Sequence, residues 1–271
     1  MPKLTAFDIQ KMKKSGKKIT MLTAYDYSMA SIFDEVQIDI LLIGDSVGQA
    51  IYGFENTLEV TLDMTINHCQ AVARAAKNHS MIIADMPFMT FGVDLDKTIE
   101  NAGKLIKIGH AEGVKMEGAS KIRIDEIKAI VDIGIPVQGH VGLLPQSAYK
   151  LGGYKVQGKP ESYYSEVELL SFATTLEKAG CFSIILEAIP VDIAKKITEK
   201  VNIPTIGIGA GKDCDGQVLV CYDMLGFTVG HRPKFVKTYA NLKEIVLEAA
   251  KKYAKEVEEG TYPSLEYSYQ R

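Results

Sequence analysis

Short apolar runs alternate with amphipathic stretches along most of the chain. The apolar runs are rich in Ile, Leu, Val and Met, as expected for strands that are buried on both faces of a parallel sheet. The eight predicted strands are 19–26, 39–46, 80–87, 113–118, 135–142, 182–188, 203–211 and 218–225. Between them, apolar residues recur at spacings of three and four, which predicts helices. The predicted helices are 64–78, 96–111, 120–133, 165–179 and 191–200, with one more over 241–258.

Alternating strands and helices of this number predict an α/β fold. Eight βα units in about 250 residues are expected of a TIM (β/α)8 barrel, and a doubly wound open sheet is the alternative. We predict a single domain over 1–271, with an N-terminal helix that opens at Thr5 and a C-terminal helical extension. The segment DCDGQ lies between the seventh and eighth predicted strands, so the seventh unit is short.

Two connections between the predicted elements are long, at 47–63 and 143–163. Loops of this length in a compact domain are usually functional or disordered. The second loop combines Gly, Tyr and Lys, a composition that suits a lid over a ligand. An interface or a surface loop is the competing interpretation.

Four of the predicted strands end in an acid: Asp45, Asp85, Glu117 and Glu187. The carboxyl ends of the strands are where α/β folds place their chemistry. Asp45, Asp85 and Glu117 follow neighbouring strands, which lie about 4.8 Å apart. Three carboxylates this close repel one another unless a cation or protons intervene, and hard oxygen ligands suit Mg²⁺. The pattern therefore predicts a metal site, unless some of these acids cap helices instead.

The fourth predicted strand places Lys115 and Glu117 on one face, because successive side chains alternate. We expect this charged pair to point into the barrel, where a Lys also offsets part of the negative charge. Glu187 lies across the barrel from the three acids, and its position suits a general base. His140, at the end of the fifth strand, is either a substrate-orienting residue or a hydrogen-bonded core histidine.

Composition excludes several classes of function. The chain has 271 residues, a formal net charge of −3 and 46% hydrophobic residues. A small negative net charge gives no reason to expect nucleic acid as a partner. No apolar run approaches the roughly 20 residues of a membrane span, and the basic N-terminus lacks the apolar stretch of a signal peptide. We therefore expect a cytoplasmic protein without a membrane partner.

The four cysteines show no CxxC spacing, which argues against a zinc or redox site.

Two glycine-rich motifs are ambiguous. Residues 44–48 fit the G-x-S-x-G of a nucleophile elbow, but a loop is predicted to follow where that motif needs a helix. This argues against a serine hydrolase. Residues 207–213, GIGAGKD, resemble a phosphate cradle without matching a Rossmann fingerprint or a P-loop. A barrel phosphate site and tight backbone packing both remain open there.

The chain as a whole resembles the 3-methyl-2-oxobutanoate hydroxymethyltransferase family, also called the ketopantoate hydroxymethyltransferase family. The resemblance runs from about residue 5 to residue 267 and is carried by several ordered segments. They include TAYDYSMA (23–30), LLIGDSVG (41–48), ADMPFMTF (84–91), VKMEG (114–118), GHVGLLPQS (139–147), GGYKVQGK (152–159), LEAIPVDIAKKIT (186–198), IPTIGIGAGKDCDGQVLV (203–220) and GHRPKFVK (230–237). Any one segment alone would be weak, and their number and order make the resemblance specific.

The resemblance implies a barrel of the phosphoenolpyruvate/pyruvate type, Mg²⁺, and 5,10-methylenetetrahydrofolate as one-carbon donor. It implies that Asp45 and Asp85 ligate the metal, with Glu117 completing the set directly or through water. Asp45, Ser46, Asp85 and Lys115 would form the substrate site, in which Ser46 and Lys115 hold the ketoacid carboxylate. Glu187 would accept the C3 proton. The expected product is 2-dehydropantoate, a pantothenate and coenzyme A precursor, and the expected assembly is a homo-oligomer, commonly a decamer.

Three other functions are weighed against this one. A Mg²⁺-dependent lyase or carboligase could act on another 2-oxo acid, with residues 207–213 as its phosphate site. Lys115 could form a Schiff base with a substrate. A barrel without enzymatic activity could bind a ligand or serve as a scaffold, although a scaffold does not need acids that face inward.

Overall fold

The computed structural model describes residues 3–228, 230 and 232–271. Residue 231 of the segment 230–237, which contributes to the family resemblance, lies outside the described residues. The chain divides into two compact units, 1–220 and 221–271, and each is described by itself. A single domain over 1–271 stays a prediction.

The first unit is a closed barrel of eight parallel strands. Each strand pairs with the next one in the chain, and the eighth pairs with the first. The strands are β1 Ile19–Thr23, β2 Ile40–Ile43, β3 Met81–Asp85, β4 Gly113–Glu117, β5 Val137–Gly142, β6 Ser183–Glu187, β7 Thr205–Ile208 and β8 Gly216–Leu219. The predicted TIM barrel is therefore confirmed, and the open sheet is excluded.

Helices connect each of these strands to the next, except β7 and β8, which residues 209–215 join without a helix. The helices of the first unit are α1 Ala6–Ser15, α2 Tyr27–Glu35, α3 Val47–Ala50, α4 Leu62–Ala75, α5 Leu95–Lys107, α6 Lys121–Asp132, α7 Ala148–Leu151, α8 Glu166–Lys178 and α9 Val191–Lys200. The second unit contains α10 Cys221–Met224 and α11 Leu242–Glu258, and 3₁₀ turns occur at Pro145–Ser147 and Leu265–Tyr267. Every predicted helix is present. As predicted, α1 opens at Thr5, whose hydroxyl accepts the backbone N–H of Asp8 at 3.3 Å in a capping box.

The eighth strand was predicted in the wrong place. The apolar run 218–225 continues past the strand, and its second half forms α10. Pairing sets the true position: Gly216 lies beside both Ile19 of β1 and Ile206 of β7. A Cβ at residue 216 would lie 2.5 Å from the Ile19 carbonyl oxygen, so only glycine fits there. Local hydrophobicity cannot report such a constraint.

The two long connections are more ordered than predicted. A short helix, α3, follows Ser46 where a loop was expected, so only the contacts of Ser46 can distinguish this segment from a nucleophile elbow. The connection 143–163 contains the turn Pro145–Ser147 and helix α7. Leu143, Leu144 and Leu151 pack with Ala188, which directly follows the sixth strand. This small cluster fixes the connection against the mouth of the barrel.

The lower part of the barrel is filled with apolar side chains. Ile9 and Met12 of α1 pack against Ile19, Ile40 and other inward residues of the strands. The buried acids Asp45, Asp85 and Glu117 lie at the opposite, carboxyl ends of the strands. None of the helices in the described part of the chain is long and apolar enough to cross a membrane.

Candidate active site

The four acids predicted from the strand ends lie at the carboxyl-terminal mouth of the barrel. Asp85, Glu117 and Glu187 are the last residues of β3, β4 and β6, and Asp45 lies two residues beyond β2. Asp45, Asp85 and Glu117 are each at most 5% exposed. The Glu187 side chain is 16% exposed, which leaves it accessible from the mouth.

Lys115 pairs with one of these acids, Asp85, which in turn contacts Asp45. Its ammonium nitrogen lies 2.5 Å from Asp85 Oδ1, and both side chains are buried. The other oxygen of Asp85 accepts the backbone N–H of Asp45 at 3.0 Å. Burial alone would lower the pKa of Lys115, but the charges of Asp85, Asp45 and Glu117 raise it. A Schiff-base lysine needs the opposite shift, so that the alternative chemistry at Lys115 is disfavoured.

Gln146 joins two acids that lie far apart in sequence. Its side-chain amide donates to Asp45 Oδ2 at 2.9 Å, and its backbone N–H donates to Glu117 Oε2 at 3.1 Å. The same amide also donates to the Met86 carbonyl at 3.0 Å. Gln146 was not among the residues predicted from the sequence. The one feature that could have indicated it is its position in a long loop that follows a strand with an inward-facing side chain.

His140 bridges the acid cluster and Glu187. Its Nε2 lies 3.1 Å from Glu187 Oε2, and its Nδ1 lies 3.6 Å from Glu117 Oε1, both as ion-pair contacts without hydrogen-bond geometry. Burial alone would lower the pKa of His140, but Glu117 and Glu187 raise it to about 9. The ring is therefore a cation at neutral pH. Glu187 is linked to the other acids by this cation rather than isolated.

Ser46 is hydrogen-bonded to a buried tyrosine. The Ser46 and Tyr25 hydroxyl oxygens lie 2.7 Å apart. The nearby imidazole of His68 instead contacts the Tyr25 backbone carbonyl and the Tyr52 hydroxyl. The hydroxyl of Ser46 thus lacks the histidine that would activate it in a hydrolase, as far as the hydrogen bonds of the described residues show. The contact with Tyr25 fixes the position of the Ser46 hydroxyl.

The charges of the cluster fit a divalent cation. With all four carboxylates ionised, the two cationic side chains, Lys115 and His140, would leave a formal excess of two negative charges. Burial, together with the charges of Asp85 and Glu117, raises the pKa of Asp45 to about 8. In the described part of the chain, no three His, Cys, Asp or Glu side chains are arranged to hold a metal by themselves. Mg²⁺ needs no such group, because it is commonly held by one or two carboxylates with water and substrate oxygens.

Comparison with known proteins identifies relatives along the whole chain. The family model described as ketopantoate hydroxymethyltransferase matches residues 3–265. The chain is 50% identical to a 3-methyl-2-oxobutanoate hydroxymethyltransferase of Geobacter metallireducens, over 98% of each chain. It is 48% identical to the enzyme of the same name from Thermoanaerobacter sp. strain X514, over 98% of this chain and 96% of the relative.

Solved structures with the same fold are more distant in sequence. A phosphoenolpyruvate phosphomutase from Streptomyces platensis superposes with a TM-score of 0.63 at 11% identity, over 95% of this chain and 88% of that one. A phosphonopyruvate hydrolase solved with oxalate and Mg²⁺ superposes with a TM-score of 0.62 at 13% identity, over 97% and 93%. At identities this low, the solved structures establish only that the fold is a barrel. The family match and the full-length relatives establish which family the chain belongs to. The chain belongs to the ketopantoate hydroxymethyltransferase family.

Proposed function

We propose that this protein transfers a hydroxymethyl group from 5,10-methylenetetrahydrofolate to 3-methyl-2-oxobutanoate. The products are 2-dehydropantoate, for pantothenate and coenzyme A synthesis, and tetrahydrofolate. The observation that carries the proposal is the position of Glu187 beside cationic His140, across the mouth from the cluster of Asp45, Asp85 and Lys115. Membership of the family and the names of the full-length relatives support the same reaction.

The acid cluster supports a site for Mg²⁺ and the ketoacid. Asp45 and Asp85 would hold the ion directly and Glu117 directly or through water, in keeping with the excess negative charge. A bound divalent cation supplies Lewis-acid polarisation of the 2-oxo group. Ser46 and Lys115 donate hydrogen bonds to the substrate carboxylate, and Tyr25 orients the Ser46 hydroxyl.

Glu187 removes a proton from C3 of the ketoacid. His140 lies against Oε2 of Glu187 and fixes the direction of the carboxylate, which leaves Oε1 for the proton. The electron pair released at C3 forms the new bond to the methylene carbon of the donor, and both bonds from that carbon, to N5 and to N10 of the folate, break in the course of the reaction; the C3 proton and one proton of water end on these two nitrogens. The same water molecule supplies the hydroxyl oxygen, so that atoms balance.

Exchange of the C3 hydrogen with solvent deuterium tests the base without the folate donor. Glu187→Gln should abolish exchange while the ketoacid still binds. Glu199→Gln, at a side chain 65% exposed on α9, is the matched control and should exchange at the wild-type rate. EDTA should stop exchange in the wild type, and added Mg²⁺ should restore it. Wild-type exchange in Glu187→Gln would refute the assignment.

The proposal extends to the assembly. The family resemblance predicts a homo-oligomer, commonly a decamer. Sedimentation velocity of the purified chain measures this directly. A monomer at micromolar concentration would contradict the prediction without affecting the proposed chemistry.

A further inference from the structure

A small cavity adjoins the acid cluster on the side of the loop that follows β3. The cavity has a volume of about 90 Å³. Its lining includes Phe88, Met89 and Phe91 from the loop, Glu117 and Gln146 from the acid cluster, and Arg123. Two residues of the candidate active site, Glu117 and Gln146, are therefore shared with a second space that the apolar residues of the loop also line.

The loop presents apolar side chains to solvent at the mouth of the barrel. Met89 is 62% exposed and Phe88 is 41% exposed. The backbone of Met89 has φ of 64°, a left-handed conformation that is strained for a non-glycine residue. Strain that holds an exposed apolar side chain in place is typical of binding sites.

Buried contacts hold this loop in one conformation. The carboxylate of Glu126 accepts hydrogen bonds from the Gly92 backbone and from the Thr98 hydroxyl. The Arg123 guanidinium pairs with Glu126 at 3.2 Å and stacks on the Phe91 ring at 4.1 Å from its centroid. Glu126 is itself only 2% exposed. The apolar surface is thus preorganised, which lowers the entropy cost of binding a rigid ligand.

We propose that Phe88, Met89 and the adjoining cavity form the subsite for the reduced pterin ring of the one-carbon donor. This inference rests on the proposed function. The cavity accommodates only an edge of the bicyclic ring, and Phe88 and Met89 cover one face. Arg123 carries five N–H donors, more than its contact with Glu126 uses, and these suit the carbonyl edge of the ring. The shared residues Glu117 and Gln146 bring the methylene carbon to the ketoacid.

Two variants and a matched control test the subsite. Phe88→Ala removes the ring, and Met89→Asn removes the apolar side chain while tolerating the left-handed backbone. Phe7→Ala is the control, because Phe7 is 62% exposed on α1, away from the strand ends that carry the acids. For each variant we would measure KM for 5,10-methylenetetrahydrofolate in the full reaction, and C3 exchange without the donor. Competition by 6-methyltetrahydropterin, which lacks the aminobenzoylglutamate tail, would be measured as well.

The expected result is a selective loss of donor binding. The donor KM should rise about tenfold in Phe88→Ala and Met89→Asn, equivalent to about 1.4 kcal/mol, with little change in Phe7→Ala. C3 exchange should stay within about twofold of the wild type in all three variants, because the ketoacid site is intact. The tetrahydropterin should compete with the donor in the wild type and compete more weakly in the two variants.

Each contrary result has a distinct meaning. An unchanged donor KM in both variants, or no competition by the tetrahydropterin, would overturn the subsite while exchange still supports the proposed function. Absence of exchange in the wild type with Mg²⁺ would instead refute the proposed function. A change in sedimentation of the two variants, together with equal loss of exchange and donor binding, would assign Phe88 and Met89 to an interface between copies and overturn the subsite.

Discussion

Replacing Lys115 by Met should destabilise the protein strongly, because it leaves buried acids without their nearest cation. Lys115 is 7% exposed and Asp85 is 2% exposed, and their charged atoms lie 2.5 Å apart. Removal of one partner from a buried ion pair typically costs about 3–5 kcal/mol. A chain of this length changes its Tm by about 2–4 °C per kcal/mol, so that the Tm should fall by roughly 6–20 °C.

The loss should depend on pH in a specific direction. The folded-state pKa of Lys115 is raised, so its stabilisation is fully present below the ordinary lysine value of about 10.4 and is lost only above the folded value. In the variant, protonation of the remaining acids at lower pH relieves their repulsion. The Tm difference between wild type and Lys115→Met should therefore shrink as the pH falls from 8 toward 5.

The assay is thermal unfolding at several pH values without divalent cation. Lys115→Met/Asp85→Asn should recover a large part of the stability, since it removes both charges of the pair, yet stay inactive. Lys196→Met is the matched control: Lys196 makes a 2.6 Å ion pair with Glu166, but its side chain is 54% exposed and its loss should leave the Tm nearly unchanged. Equal Tm values for wild type and Lys115→Met would refute the electrostatic reasoning.

Two further predictions concern Asp34 and Gln146. The carboxylate of Asp34 accepts hydrogen bonds from the backbone N–H groups of residues 77–80. Burial alone would raise the pKa of Asp34, but these hydrogen bonds lower it. The stabilisation by Asp34 is therefore present above the ordinary pKa of about 3.9 and is lost as the pH falls through the folded-state pKa. Asp34→Asn should cost about 1–3 kcal/mol in urea unfolding at pH 7 and progressively less below pH 4, whereas a pH-independent cost would contradict this. Gln146→Ala should lower kcat/KM for the ketoacid about tenfold, and Gln146→Glu should lower it more by placing another carboxylate beside Asp45 and Glu117. Equal rates in the two Gln146 variants would show that charge at this position does not matter.

The barrel was predictable because its signals are local. Most of the strands are short apolar runs, and the position of a residue along the strand decides whether it reaches the mouth. This reasoning placed Asp45, Asp85, Glu117 and Glu187 at strand ends, and it placed Lys115 on the same face as Glu117. The prediction of β8 was wrong, because strand pairing there is determined by backbone packing around Gly216 and not by the apolar run 218–225.

The connections between the acids were decided only by the tertiary structure. Gln146 lies about 100 residues from Asp45 in sequence, and its role exists only because the turn Pro145–Ser147 folds back over the mouth of the barrel. His140 lies beside Glu117 in the strand register and also reaches Glu187, so that it couples acids the sequence suggested were separate. The sequence by itself determined which elements form and which residues end them, since periodicity and composition act over a few residues. Which side chains meet depends on strand register and loop folding, which are non-local.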